Sequence, residues 1–191
     1  MKYGDNRDYP AKLKTKYASR IESTVRVFNR YYKAPGKVVD VGSRTGYAVE
    51  LLDWLGFDAI GIDLVQDCVD YAVEHGRNVI QDDITASNLP SDTFDFVFSR
   101  HCIEHCLEPE KFLSEAVRIL SRHGKVFITF PLETKEQMDK NEYHLSYFEH
   151  KDDFRAIARK LFKEIEFCKS KSKGIITDGK EVLFIGEKIA G

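Results

Sequence analysis

The chain has 191 residues, enough for one domain with a full hydrophobic core, and a net charge of −2 at pH 7. That balance excludes both an acidic solvating protein and a nucleic-acid binder working through overall charge, although the charge is unevenly placed. Residues 1–37 hold ten Lys or Arg against Asp5, Asp8 and Glu22, a net +7 that leaves −9 for the rest. The four cysteines, at 68, 102, 106 and 168, show no paired framework, and no signal peptide or long apolar span is read. A single domain over 1–191 in a reduced, cytoplasmic setting is expected.

Residues 1–16 are polar and basic and are interrupted by Pro10. A helix is expected from Tyr17, where Ile21, Val25, Phe28 and Tyr32 recur at helical spacing as one apolar stripe, and Pro35-Gly36 ends it. Residues 1–36 thus read as a basic arm and helix, the helix packed on a sheet with its charged face in water. Two sharper readings stand beside this one. Tyr3, Tyr9 and Tyr17 among the lysines suit a flap over a ligand, and the same interleaving suits RNA through phosphate contacts and base stacking.

Residues 38–52 (VVDVGSRTGYAVELL) read as a buried strand around Asp40, a turn holding Gly42 and Gly46, and a helix with Val49, Leu51, Leu52 and Leu55 inward. Such a turn is expected to leave backbone N–H groups free at a helix start, where the helix dipole also favours anions. The spacing is D-x-G-x-x-x-G, which is not the dinucleotide fingerprint G-x-G-x-x-G. It resembles the first motif of class I S-adenosylmethionine-dependent methyltransferases, usually D/E-x-G-x-G-x-G. Asp40, Gly42 and Gly46 match, Ser43 and Thr45 fill the turn, and Arg44 replaces the middle glycine. Arg44 is expected to point outward or to meet the cofactor's carboxylate.

Residues 58–64 (DAIGIDL) form the next apolar run and end at Asp63, 21 positions after Gly42. A doubly wound fold places there the carboxylate that grips a ribose diol, because it accepts hydrogen bonds from both hydroxyls. A helix N-cap is the plainer reading of the same aspartate. Residues 78–84 (NVIQDDI) end in the same way. The methyltransferase resemblance implies that Asp83 meets the adenine amine, with Ile84 and Leu64 on the two faces of the ring, and Asp82 is the register rival.

The resemblance becomes specific after this point. Asn88-Leu89-Pro90, then residues 93–100 (TFDFVFSR), then Ile103-Glu104-His105 are similar to the "LP…FD-x-V-x-S…LEH" run of the type-11 methyltransferases, and an amphipathic helix and HGKVFITFP (123–131) continue it. Ser99 joins the cofactor-binding set on this basis, and His101 is expected near the sulfonium. His101, Cys102, Glu104, His105 and Cys106 also spell H-x-x-E-H, but a zinc site needs its histidines on a helix and a third ligand downstream. No metal is therefore expected, and His105 reads as a structural histidine or one at the pocket edge.

Residues 133–143 read as a polar excursion at the pocket mouth. His144-Leu145-Ser146-Tyr147-Phe148 resembles the H-x-x-x-F element of the family and precedes a helix over 151–161 and closing strands over 162–168 and 181–187. His144 is either a loop anchor or, with His101, a candidate catalytic base. The expected fold is α/β, a Rossmann-like three-layer sandwich whose seven-stranded, mostly parallel sheet has its last strand antiparallel. The resemblance implies transfer of a methyl group from S-adenosylmethionine to an O, N or C of a small-molecule acceptor. The alternatives are an RNA methyltransferase using the basic arm and an inactive, methyltransferase-like binding module. A nicotinamide enzyme is disfavoured by the missing fingerprint.

Overall fold

The computed structural model describes residues 17–177 and 179–189. The expectations for residues 1–16, including Tyr3 and Tyr9, lie outside the described residues. Helix α1 (Ala18–Tyr31) starts just after Tyr17 and buries Val25, Val27 and Phe28, so the apolar stripe read from the spacing is its packed face. The chain then alternates through β1 (Lys37–Val41), α2 (Tyr47–Trp54), β2 (Asp58–Asp63), α3 (Gln66–Glu74), β3 (Val79–Gln81) and β4 (Phe94–Arg100). It continues with α4 (Pro109–Ile119), β5 (Leu120–Pro131), α5 (Lys135–Asp139), α6 (Lys151–Ala158), β6 (Phe162–Lys169) and β7 (Glu181–Lys188).

The strands form one seven-stranded sheet in the order β3-β2-β1-β4-β5-β7-β6, and β7 runs antiparallel to both its neighbours. Neighbouring side chains along each central strand go to opposite faces, as the period of 2 requires. Val38, Phe98, Phe127 and Leu183 pack with α1, α2 and α3 on one face. Val39, Val97, Ile128 and Phe184 pack with α4 and α6 on the other. Both faces are dry, which is why β4, β5 and β7 read as nearly unbroken apolar runs.

The strand order reverses between β1 and β4, so the connections leaving these strands diverge to opposite sides and open a crevice beyond their carboxyl ends. Around that crevice the chain departs from the expected elements in two places. β3 stops at Gln81 because Asp82 turns inward and accepts hydrogen bonds from Ser87 Oγ and from the backbone and side-chain nitrogens of Asn88. Residues 133–143 contain the short helix α5, held by a capping box in which Thr134 and Gln137 satisfy each other's backbone N–H. Among the described residues no helix is long and apolar enough to cross a membrane.

Phe28 ties α1 to the sheet. It is fully buried and meets the rings of Tyr32, Phe57, Phe96, Phe98 and Phe127 at centroid distances of 5.2–5.5 Å. Phe28→Ala is expected to lower the unfolding free energy by about 3–5 kcal/mol, read from urea denaturation, because the surrounding sheet side chains cannot collapse into the cavity.

Candidate active site

The turn after β1 is held tightly. Gly42 N–H and Ser43 N–H both donate to the Ile62 carbonyl at 3.0 Å, Arg44 N–H to Asp63 Oδ2 at 2.8 Å and Gly46 N–H to Ser43 O at 2.9 Å. The expectation of free N–H groups is corrected for these four residues: the donors are used inside the turn, which ties β1 to β2. A pyrophosphate would find few donors here. Gly42 has φ 78°, and a Cβ on it would lie 2.8 Å from Cys102 Cβ and Sγ, so the glycine permits close approach to the segment leaving β4.

Arg44 takes the left-handed conformation of the missing glycine, with φ 51°. Its side chain is exposed and its guanidinium reaches Cys68 of α3; burial pushes that thiol up while Arg44 pulls it down. Ser43 and Thr45 are buried. The Ser43 side chain packs over Gly61, where a Cβ would lie 2.5 Å from Ser43 Oγ.

Three acids stand at consecutive strand ends. Asp40 is buried and takes no hydrogen bond from the described residues, and burial together with the neighbouring Asp63 raises its pKa from 3.8 to about 8. Asp63 Oδ1 accepts from Val65 N–H at 2.9 Å while Oδ2 holds Arg44. The aspartate thus braces the turn and the residue before α3 without capping that helix, whose N-cap Val65 has no side-chain cap bond, and each oxygen retains a further lone pair for a ligand. Asp83 Oδ1 accepts from the N–H and Oγ1 of Thr85, and its second oxygen takes no bond from the described residues. Asp82, its register rival, is spent inside its own loop. Ile84 is buried, and Leu64 is 51% exposed at the end of β2. Ser99, expected among the cofactor contacts, is fully buried, and its hydroxyl donates to Val41 O at 3.0 Å, so it serves as a tie between β4 and β1.

His101 follows β4 with φ 51°. Its Nδ1 lies 3.0 Å from Glu104 Oε1, and its Nε2 bonds the carboxylate of Glu181 at the start of β7. Burial pulls the imidazolium down, but the hydrogen bonds to Glu104 and Glu181 outweigh it and place the pKa at about 9. With both ring nitrogens engaged and the proton held at neutral pH, His101 is a poor proton acceptor. This corrects its reading as a base: it is a cationic clamp between two buried carboxylates.

His144 has a different environment. Its Nδ1 lies 2.5 Å from Glu133 Oε1, and its ring meets that of His105 edge-on at 5.0 Å. His105 Nδ1 lies 2.7 Å from Tyr143 O. The Glu104 carbonyl accepts N–H groups of Leu145 and Ser146 at 2.9 and 3.1 Å, which fastens the loop carrying His144 to the turn carrying His105. Glu133 and Glu181 escaped the sequence reading, since isolated glutamates beside a strand end carry no local signal.

Residues 39–128 match the model of a family described as a methyltransferase domain. A ubiquinone biosynthesis O-methyltransferase of Methylococcus capsulatus is 34% identical over 100 residues, which is 49% of this chain and 42% of that protein. Phosphoethanolamine N-methyltransferase 2 of Caenorhabditis elegans is 28% identical over 155 residues, 75% of this chain and 34% of that one. The chain thus spans less than half the length of these curated relatives. A solved protein of Pyrococcus horikoshii superposes with a TM-score of 0.77 at 21% identity over 92% of both chains. A SAM-dependent methyltransferase from Archaeoglobus fulgidus does so with a TM-score of 0.73 at 18% identity, over 96% of this chain and 100% of that chain. Both solved structures share the Rossmann-like fold, and S-adenosylmethionine is the cofactor that goes with this domain family.

Two outcomes follow from the turn. Arg44→Gly relieves a left-handed side-chain conformation and is expected to stabilise the protein by up to about 1 kcal/mol in urea denaturation, the glycine's own entropy offsetting part of the gain. Because Arg44 faces outward, affinity for S-adenosylhomocysteine is expected to stay within about threefold, under 1 kcal/mol. Asp40 has a folded pKa raised from 3.8 to about 8, so its contribution to stability is full below pH 3.8 and lost as pH rises to 8. Asp40→Asn, free of ligand, is expected to match the parent's melting temperature near pH 4 and to exceed it increasingly up to pH 8.

Proposed function

We propose that this chain, whose residues 39–128 match a methyltransferase domain, is a class I S-adenosylmethionine-dependent methyltransferase that transfers the cofactor's methyl group to an O, N or C atom of a small-molecule acceptor. The observation that carries this reading is the set of three carboxyl groups, Asp40, Asp63 and Asp83, at the carboxyl ends of the adjacent strands β1, β2 and β3 beside the Gly42 turn. The residues fit the cofactor on their own chemistry. Asp40 is a buried carboxyl with no side-chain hydrogen bond among the described residues, Asp83 has one oxygen unbonded among them and able to accept from an amine, and Leu64 is a large apolar side chain left exposed at the end of β2. Asp63 would hold the ribose hydroxyls, Asp40 the cationic part of the ligand, and Leu64 and Ile84 the two faces of the base.

The bound cofactor supplies a methyl group on a positively charged sulfur, already activated toward displacement. The chain's own task is to orient the acceptor and to take its proton. His144 is the proposed proton acceptor, because a proton on Nδ1 shared with Glu133 leaves a lone pair on Nε2. His101 is assigned the positioning of Glu104 and Glu181. Helix α1 is assigned to the same domain. The four cysteines, all free thiols, accord with a cytoplasmic location. Methylation of RNA is the second reading, favoured only by the net +7 of residues 1–37.

Calorimetric titration with S-adenosylhomocysteine tests the site. The parent is expected to bind, and Asp63→Ala to lose about 1.5–3 kcal/mol or more of binding free energy as charge-assisted hydrogen bonds to the ribose disappear. Asp63 also braces the turn, so Asp83→Asn serves as the second variant, and melting temperatures confirm that both remain folded. Absence of binding by the parent would overturn the reading, while binding without turnover on any acceptor would favour a binding module.

A further inference from the structure

Glu104, His105 and His144 place one potential ligand atom each within 4.8 Å of one another. Three further features indicate that the group is built for a ligand. His105 Nδ1 faces a backbone carbonyl, which can only accept, so the neutral ring carries its proton on Nδ1 and its lone pair on Nε2. His144 has the same arrangement, with the Glu133 carboxylate as its outer partner. Metal-binding histidines characteristically donate their second nitrogen to a carbonyl or carboxylate in this way. The third feature is Glu104, which is 1% exposed; one oxygen meets His101, and the other is buried with no hydrogen-bond partner among the described residues.

An ionised oxygen left without a donor in the interior is costly, and a cation is its natural counterpart. The set is also held before any ion arrives, because Leu145 N–H and Ser146 N–H bond to the Glu104 carbonyl and Glu133 N–H bonds to Phe148 O.

We propose that Glu104, His105 and His144 form a binding site for a divalent transition-metal ion, with two imidazole nitrogens, one carboxylate oxygen and at least one open position. Zinc suits this ligand set, which is also that of open, three-ligand sites. The H-x-x-E-H spacing suggested His101 and His105 as partners, but His101 has both nitrogens committed to carboxylates. The third ligand comes from a separate loop, 39 positions after His105. An ion there takes the same His144 lone pair that would otherwise accept a proton, and an acceptor hydroxyl in its open position would be acidified directly. The site itself does not depend on methyl transfer, and its test needs no cofactor.

The full chain, stripped of metal and free of cofactor, is titrated with zinc chloride against a chromophoric chelator. One equivalent is expected to bind saturably, with affinity falling as pH falls because the histidines must be deprotonated. Glu133→Gln, which touches no ligand atom, is expected to weaken binding about 10–100-fold through loss of the outer hydrogen bond, and His144→Ala to weaken it further. His123→Ala, at an exposed histidine paired with Glu187, is expected to leave affinity unchanged. Cobalt bound to the parent chain should absorb as a nitrogen–oxygen site of low coordination number, a readout independent of any variant. No one-equivalent binding, binding that survives His144→Ala, or a sulfur-to-cobalt charge-transfer band from Cys102 or Cys106 would each overturn the proposal.

Discussion

The register of β1 against β4 is the constraint on which the rest of the molecule depends. Val41 lies opposite Ser99, and the buried Ser99 hydroxyl donates to the Val41 carbonyl, so the two strands end at the same level. One chain continues into the Gly42 turn and α2, and the other into His101 and the turn at Glu104. Since the strand order reverses here, the two continuations diverge, yet their first residues stay close enough that Gly42 abuts Cys102. A shift of one residue would reverse the face of every β4 side chain and move His101 away from Glu181.

The crevice gathers more negative charge than its surroundings neutralise. Asp40 and Asp63 repel one another, and burial raises Asp40 to about 8. Across the crevice the balance differs, because His101 is shared by Glu104 and Glu181, and Arg100 Nη2 lies 3.7 Å from the same Glu181 carboxylate. The turn's N–H groups at Gly42, Ser43, Arg44 and Gly46 are used internally. The electrostatic character is that of a receptor for hydroxyls, amines and positive charge, which separates this crevice from a phosphate cradle.

Arg44 shows how a motif is kept when one of its residues is lost. The middle glycine's backbone conformation persists at φ 51° with an arginine in place, and the side chain leaves the crevice toward Cys68. The residue lies on the outer side of a turn fastened by Asp63 and the Ile62 carbonyl, so the substitution costs strain rather than space.

The architecture was legible in the sequence because it rests on local, repeated signals. Alternating apolar runs and amphipathic stretches, punctuated by Pro35-Gly36 and the Gly42 turn, specify strands and helices, and the right-handed crossover rule arranges them. Asp40, Asp63 and Asp83 were legible too, since each ends an apolar run at a strand's carboxyl edge. Tertiary structure decided what those groups touch. Whether Ser99 faces the crevice or a neighbouring strand, and whether Asp82 or Asp83 is free, depends on pairing with residues distant in sequence or on a local loop. The same holds for His101, whose partner Glu181 lies 80 positions away, and for His144, brought to His105 by backbone hydrogen bonds to Glu104. The chain alone determined which residues reach the end of the sheet. Protonation and ligand choice there were decided by contacts across the fold, because burial and the charge of distant neighbours set both.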